Sequence, residues 1–204
     1  MNIWIVNPFD QLPNETDVPL RYWSLCKTFA TQGHDVVWWS SDYSHLTKTK
    51  RKPCLDTDGF SIRLIETPPY KKNISFARLR NHKAFADGFY HEAIKSMGDK
   101  ELEAPDRIVV SLPPLGVAEQ AFKIRDRIKH SLSTASSGGC QVVVDIMDAW
   151  PETFYQVLPN YLRKHLGAVL FANMHRSARR AYQGADKITA VGQSYLDLAN
   201  SYVA

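Results

Sequence analysis

Read for hydrophobic period, the chain alternates short apolar runs with longer amphipathic stretches. Asn2 to Val6 reads as a first strand, and a polar, proline-bearing loop follows from Asn7 to Pro19. Leu20 to Gln32 sets Trp23, Cys26, Phe29 and Ala30 on one helical face, with Gly33 placed to stop the helix in the left-handed conformation. Asp35 to Ser40, Val-Val-Trp-Trp at its centre, is a second strand; Phe60 to Glu66 alternates well enough to be a third, and Pro68-Pro69 stops it. A long helix fits Phe76 to Met97, ending at Gly98, and Arg107 to Ser111 is a fourth strand. An amphipathic helix from Val117 to Ile128, a connector from Ser131 to Gly139 and a fifth strand through Asp145 come next. Tyr161 to Tyr182 reads as a helix, Lys187 to Val191 as a sixth strand, and a last helix begins near Ser194. Strands alternating with helices predict an α/β fold: one Rossmann-like, doubly wound, mostly parallel sheet with helices on both faces.

The fifth strand carries the strongest functional signal. Val142-Val143-Val144 cannot alternate between a wet and a dry face, so the strand is expected to be covered on both. It runs directly into Asp145-Ile146-Met147-Asp148-Ala149-Trp150-Pro151-Glu152. In open parallel sheets ligands bind at the carboxyl ends of the strands, which is where Asp148, Trp150 and Glu152 fall. The competing reading has Asp148 capping the next segment and Trp150-Pro151 turning the chain.

Composition changes little: 204 residues, 44% hydrophobic and 23% charged, describe one ordinary folded domain. Cys26, Cys54 and Cys140 lack the close spacing of zinc or redox motifs and read as reduced thiols of a cytoplasmic protein. The early apolar run Ile3 to Val6 is too short for a signal or a membrane span. Charge is more informative. The net +4 conceals a balance of +7 between His45 and Phe85, where Lys48, Lys50, Arg51, Lys52, Arg63, Lys71, Lys72, Arg78, Arg80 and Lys83 stand against Asp56, Asp58 and Glu66. Such clustering suits an anionic partner such as a lipid surface, a phosphate or a nucleic acid, or else a solvated face. It lacks the interleaved aromatics of a nucleic-acid platform, so no nucleic acid is expected.

After the first strand, where a dinucleotide fold has Gly-x-Gly-x-x-Gly, stands Asn7-Pro8-Phe9-Asp10-Gln11-Leu12-Pro13. Walker, Gly-x-Ser-x-Gly and His-Glu-x-x-His motifs are missing too, which removes the usual support for nucleotide hydrolysis, serine hydrolysis and zinc peptidase chemistry. The loop suggests an acceptor pocket with Phe9 as a wall and Arg21 as an anion binder, or loop residues with no such duty. Asp145 and Asp148, three apart in an extended strand, point to opposite faces, so no metal is expected. His34 reads as part of the helix stop, and Trp38-Trp39 as core.

Gly33-His34-Asp35-Val36-Val37, the segment from Val143 to Glu152, and Ala185-Asp186-Lys187-Ile188-Thr189-Ala190-Val191-Gly192-Gln193-Ser194-Tyr195-Leu196 together resemble the amino-terminal half of glycosyltransferase family 4. The likeness spans nearly the whole chain, and Asp-x-x-Asp-x-Trp-Pro-Glu is its most specific part. It implies one half of a GT-B architecture: 1–192 as the acceptor-binding domain and 193–204 as the start of a helix leading to a donor-binding domain or partner chain. It further implies retaining, metal-independent transfer, with a nucleotide-sugar donor as substrate, no cofactor of its own, and a carbohydrate or lipid-linked acceptor.

Where many members carry a histidine after the fourth strand, this chain has Ser111-Leu112-Pro113-Pro114-Leu115. Asp148 is then the candidate catalytic residue; Phe9, Arg21, Ser111, Pro113 and Trp150 are the candidate acceptor contacts; Lys48, Lys50, Arg51, Lys52, Arg78, Arg80 and Lys83 are the candidate membrane contacts. The expected location is the cytoplasmic face of a membrane, and the rival function is a non-catalytic carbohydrate-binding subunit.

Overall fold

The computed structural model describes residues 1–54, 57–131, 139–155 and 171–203. Its strands are β1 (Asn2–Val6), β2 (Asp35–Ser41), β3 (Ser61–Ile65), β4 (Arg107–Leu112), β5 (Gln141–Ile146) and β6 (Lys187–Ala190). They form one sheet in the order β3-β2-β1-β4-β5-β6, and every neighbouring pair is parallel. This is a Rossmann-like α/β fold, all parallel where a mostly parallel sheet was expected. The winding reverses between β1 and β4, the point outside whose carboxyl ends sheets of this kind take ligands.

The helices are α1 (Arg21–Thr31), α2 (Phe76–Gly98), α3 (Leu115–Ser131), the single turn α4 (Glu152–Tyr155), α5 (Ala172–Gly184) and α6 (Gln193–Val203). α3 starts two residues earlier than its apolar pattern suggested, directly after Pro113-Pro114, and Val117 N–H already bonds the Pro114 carbonyl at 3.2 Å. Within the expected Tyr161–Tyr182 helix, 161–170 lie outside the described residues, as do 132–138 of the expected connector.

Alternation along the strands sorts the core into two layers. Trp4, Val6, Val37, Trp39, Ile108, Val110, Val142 and Val144 pack under α2, α3, α5 and α6, joined by Phe85, Phe89, Ala118, Ile124 and Ala178. Ile3, Ile5, Val36 and Trp38 face the other way, onto Tyr22 and Cys26 of α1. Trp38 and Trp39 are therefore core on opposite faces, at most 1% exposed.

One expectation fails here: Val143 is only partly buried, because β5 lies two strands away from β1, over which α1 packs. The uninterrupted valine run reflected β-propensity rather than full cover on both faces.

The turn after α1 follows from Gly33, whose φ is +79°. Its N–H bonds the Ala30 carbonyl at 2.9 Å, the His34 N–H bonds the Phe29 carbonyl at 3.1 Å, and the His34 ring lies 6.3 Å from Phe29. These are the paired bonds and side-chain contact of a Schellman stop, and they account for His34. No helix among the described residues is long and apolar enough to cross a membrane.

Candidate functional site

The site at this edge is built upward from a buried carboxylate. Register sets Asp145 beside Ser111 on one side and Thr189 on the other, with its side chain on the α1 face and 1% exposed. It accepts from Arg21 Nε (2.8 Å) and Nη2 (2.9 Å), Tyr22 Oη (2.7 Å) and Thr189 Oγ1 (2.7 Å). Burial by itself would raise its pKa, but the bonds from Arg21, Tyr22 and Thr189 outweigh it and hold the carboxyl below its ordinary value. Arg21 fastens α1 to β5 through this bidentate fork, while its side chain remains 41% exposed at the sheet edge.

The amino end of α1 is secured in trans. Leu20 at the cap position has no side chain to offer, and Asp10 from the β1 exit loop instead accepts the Tyr22 N–H at 3.2 Å. Desolvation raises the Asp10 carboxyl, while that N–H and the Arg51 and Arg21 charges pull the other way.

That exit loop is closed by Asn7. Its Oδ1 accepts the N–H groups of Phe9 (3.1 Å) and Asp10 (2.7 Å), and its Nδ2 donates to Ser111 Oγ at 3.0 Å. The backbone donors that a glycine loop would offer a pyrophosphate are consumed within this turn. Ser111, 1% exposed, accepts from beneath this loop, and Pro113 is buried, so both stand behind the surface an acceptor would meet.

Phe9 projects from this turn into an aromatic and cationic cluster built on the exits of β1, β2, β3 and β5. Its ring centroid is 5.3 Å from His45 and 5.3 Å from His82 of α2; His82 in turn lies 5.3 Å from Trp150. The Arg78 guanidinium stands 5.6 Å from the Phe9 ring and 5.0 Å from the Trp150 ring, within cation–π reach of both. Arg78 Nε donates to His82 Nε2 (3.2 Å) and Nη1 to the Asn73 carbonyl (2.9 Å). Lys48 Nζ donates to Asn73 Oδ1 (2.7 Å) and lies 4.5 Å over Tyr70.

Burial, helped by the neighbouring cations, lowers His45 to about 4 and His82 to about 3, so both rings are neutral at pH 7. With His82 neutral, the Arg78 contact requires the Nδ1–H tautomer, because Nε2 must accept.

Asp148 does stand just past the end of β5, with both oxygens in use. Trp150 Nε1 donates to one at 3.0 Å and Thr153 Oγ1 to the other at 2.9 Å. It fixes the indole against the cluster and lends Arg78 its charge. Glu152, next along, turns away and accepts from Tyr202 Oη at 2.6 Å, tying α4 to α6.

The basic stretch divides by direction. Lys48 and Arg78 belong to the cluster. Arg51, expected at a membrane, has a side chain 0% exposed that donates to Ser40 Oγ (2.8 Å) and the Asp10 carbonyl (2.8 Å), so it holds loops together and meets no surface. Lys50 pairs with Asp42 and Lys83 with Asp87 at the surface, and Lys52 and Arg80 are exposed.

Around Lys83, the exposed part of α2 carries bare apolar side chains: Ile74 just before the helix, then Phe76, 91% exposed, and Leu79. Among the described residues no group of three His, Cys, Asp or Glu is placed to hold a metal ion. Burial raises the Cys26 thiol and pushes Cys140 up to about 12, which leaves both inert.

Sequence reading missed His45, Asn73, Tyr70 and His82. Only His82 left a trace, at four residues from Arg78 and hence on the same helical face. Compared with known proteins, the chain matches no family model and no curated protein.

Proposed function

We propose that this chain is the acceptor-binding domain of a retaining, nucleotide-sugar-dependent glycosyltransferase of polysaccharide or glycolipid assembly. A donor-binding domain or partner chain completes it at the cytoplasmic face of a membrane. The observation that carries this reading is the cluster at the carboxyl edge of a Rossmann-like sheet, where Phe9 and Trp150 flank Arg78 beside two neutral imidazoles.

The half-buried Phe9 ring can stack on the C–H face of a sugar, with the buried Trp150 backing the cluster behind it, and neutral imidazoles can donate to or accept from hydroxyls without a change of charge. The same sheet holds its first loop closed with Asn7, which supports a division of labour: this domain takes an acceptor, and the donor's phosphates are gripped elsewhere. Asp148 then acts as a positioning residue, through Trp150.

Two measurements test this. Protein-observed NMR titration with a glycan panel should shift the ring-proton resonances of Phe9 and Trp150. Calorimetry with nucleotide sugars should give millimolar affinity or none, about 4 kcal/mol or less. Micromolar binding of a nucleotide sugar to this chain would overturn the reading.

The membrane partner is assigned differently from the sequence expectation. The contact we propose is the exposed face of α2, with Ile74, Phe76 and Leu79 as apolar contacts and Lys71, Lys72, Arg80 and Lys83 as the charges beside them.

A further inference from the structure

We propose that the acceptor taken by this cluster carries a phosphate group, bound between Lys48 and Arg78. The inference rests on the acceptor-domain reading and adds the chemistry of the ligand. Two cations are gathered on one residue, Asn73: Lys48 on its side-chain oxygen at 2.7 Å and Arg78 on its carbonyl at 2.9 Å. Their hydrogen-bond partners are the neutral groups Asn73, His45, His82 and Tyr70. Asp148 is the carboxylate whose charge reaches Arg78, and it is already bonded to Trp150 and Thr153.

Lys48 is presented with φ +59°, a left-handed conformation uncommon for a residue with a side chain. The arrangement is self-repelling: desolvation and the Arg78 charge both lower the Lys48 pKa, and desolvation lowers Arg78. A phosphate between them would relieve that repulsion with charge-assisted bonds.

The charged and titratable groups around His45 and His82 are Lys48 and Arg51 from the β2 exit, Tyr70 from the β3 exit, Arg78 on α2 and Asp148 after β5. An added dianion must therefore raise both imidazole pKa values.

The test is an NMR titration of the His45 and His82 ring protons with inorganic pyrophosphate, hexose 1-phosphate and geranyl diphosphate, run on the natural chain and on Lys48→Gln, Arg78→Gln and Lys95→Gln. We expect both histidines to titrate higher in saturating pyrophosphate. Affinity should fall at least about tenfold in each of the first two variants and stay unchanged in Lys95→Gln, which lies on the far part of α2.

Tighter binding of the prenyl than of the sugar phosphate would identify a lipid-linked source, and the reverse order a soluble one; either supports the site. Unmoved histidine titrations, or equal weakening in Lys95→Gln, would overturn it. Overturned in that way while neutral glycans still perturb Trp150, the phosphate site fails alone and the acceptor reading stands.

Discussion

Asp145 is the residue on which the architecture of the site turns, since it gathers Arg21, Tyr22 and Thr189 from α1 and β6 onto β5. Replacing it with Asn should cost about 2–3 kcal/mol at pH 7, because Arg21 loses its partner and a buried bond network loses its charge. The pH dependence has a definite sign. The carboxyl's pKa is lower in the folded chain than in the unfolded one, so the unfolded chain binds more protons as pH drops below about 4. The stabilisation is complete above that pH and lost below it. Urea unfolding of both proteins should therefore show a gap at pH 7 that closes toward pH 3, and a gap that does not change with pH would mean the charge contributes nothing.

Asp148 predicts a different signature. In the transferase proposed above, Asp148→Asn should raise KM in the way Trp150→Leu does, with the pH profile unmoved, because it acts by holding the indole. A lowered kcat with a displaced pH profile and normal KM would instead make Asp148 the proton-transferring group. The sequence pointed to Asp148 and Trp150 as neighbours of a site. It could not show that Asp148 is spent on Trp150, because a bond two residues apart at a strand end depends on the turn that follows.

At the scale of elements, two glycines illustrate separate demands. Gly33 has open space around its α-carbon but a backbone at φ +79°, and Gly88 has ordinary helical backbone but no room. A β-carbon on Gly88 would lie 2.4 Å from Ile65 Cγ2, where α2 crosses the end of β3. We expect Gly33→Ala to destabilise by about 1 kcal/mol through backbone strain alone. Gly88→Ala should cost about 1–3 kcal/mol, overcoming the roughly 1 kcal/mol gained in helix propensity. Thermal unfolding checks both, and a stabilised Gly88→Ala would mean that α2 can lift from the sheet at no cost.

The stop at Gly33 was legible because its cause is local. The crowding at Gly88 was not, since Ile65 is far from it in sequence. The same distinction explains why the strands and α1, α2 and α6 were located to within a residue or two while α4 went unseen. One turn carries too little periodicity to register.

For the whole molecule, the distribution of charge decides what meets a surface. Four positions of the exposed α2 region, Ile74, Phe76, Leu79 and Arg80, project into solvent beside Lys71, Lys72 and Lys83. Each basic side chain near an anionic bilayer is worth about 1 kcal/mol, and apolar insertion adds to that without dependence on salt. Co-sedimentation with phosphatidylglycerol vesicles should fall in Arg80→Gln/Lys83→Gln at low salt only, and in Phe76→Ser at low and high salt alike. Arg51→Gln should leave vesicle binding as it was and lower stability instead. Equal sedimentation of the natural chain with neutral and anionic vesicles would remove the electrostatic part of the proposal.

What the sequence determined by itself was whatever repeats or stops locally: the alternation of strands and helices, the Gly33 turn, the missing glycine loop, the acidic and aromatic end of β5 and the existence of a basic region. These follow from side-chain period and backbone sterics, which act over a few residues. The tertiary structure decided where each charge points. Arg21 and Arg51 became fasteners, Lys48 and Arg78 joined one cluster with His45 and His82, and a helix face with Phe76 was left bare. A charge's partner is chosen by the packing of segments distant in the chain, and burial then sets whether that charge stabilises the fold or waits for a ligand.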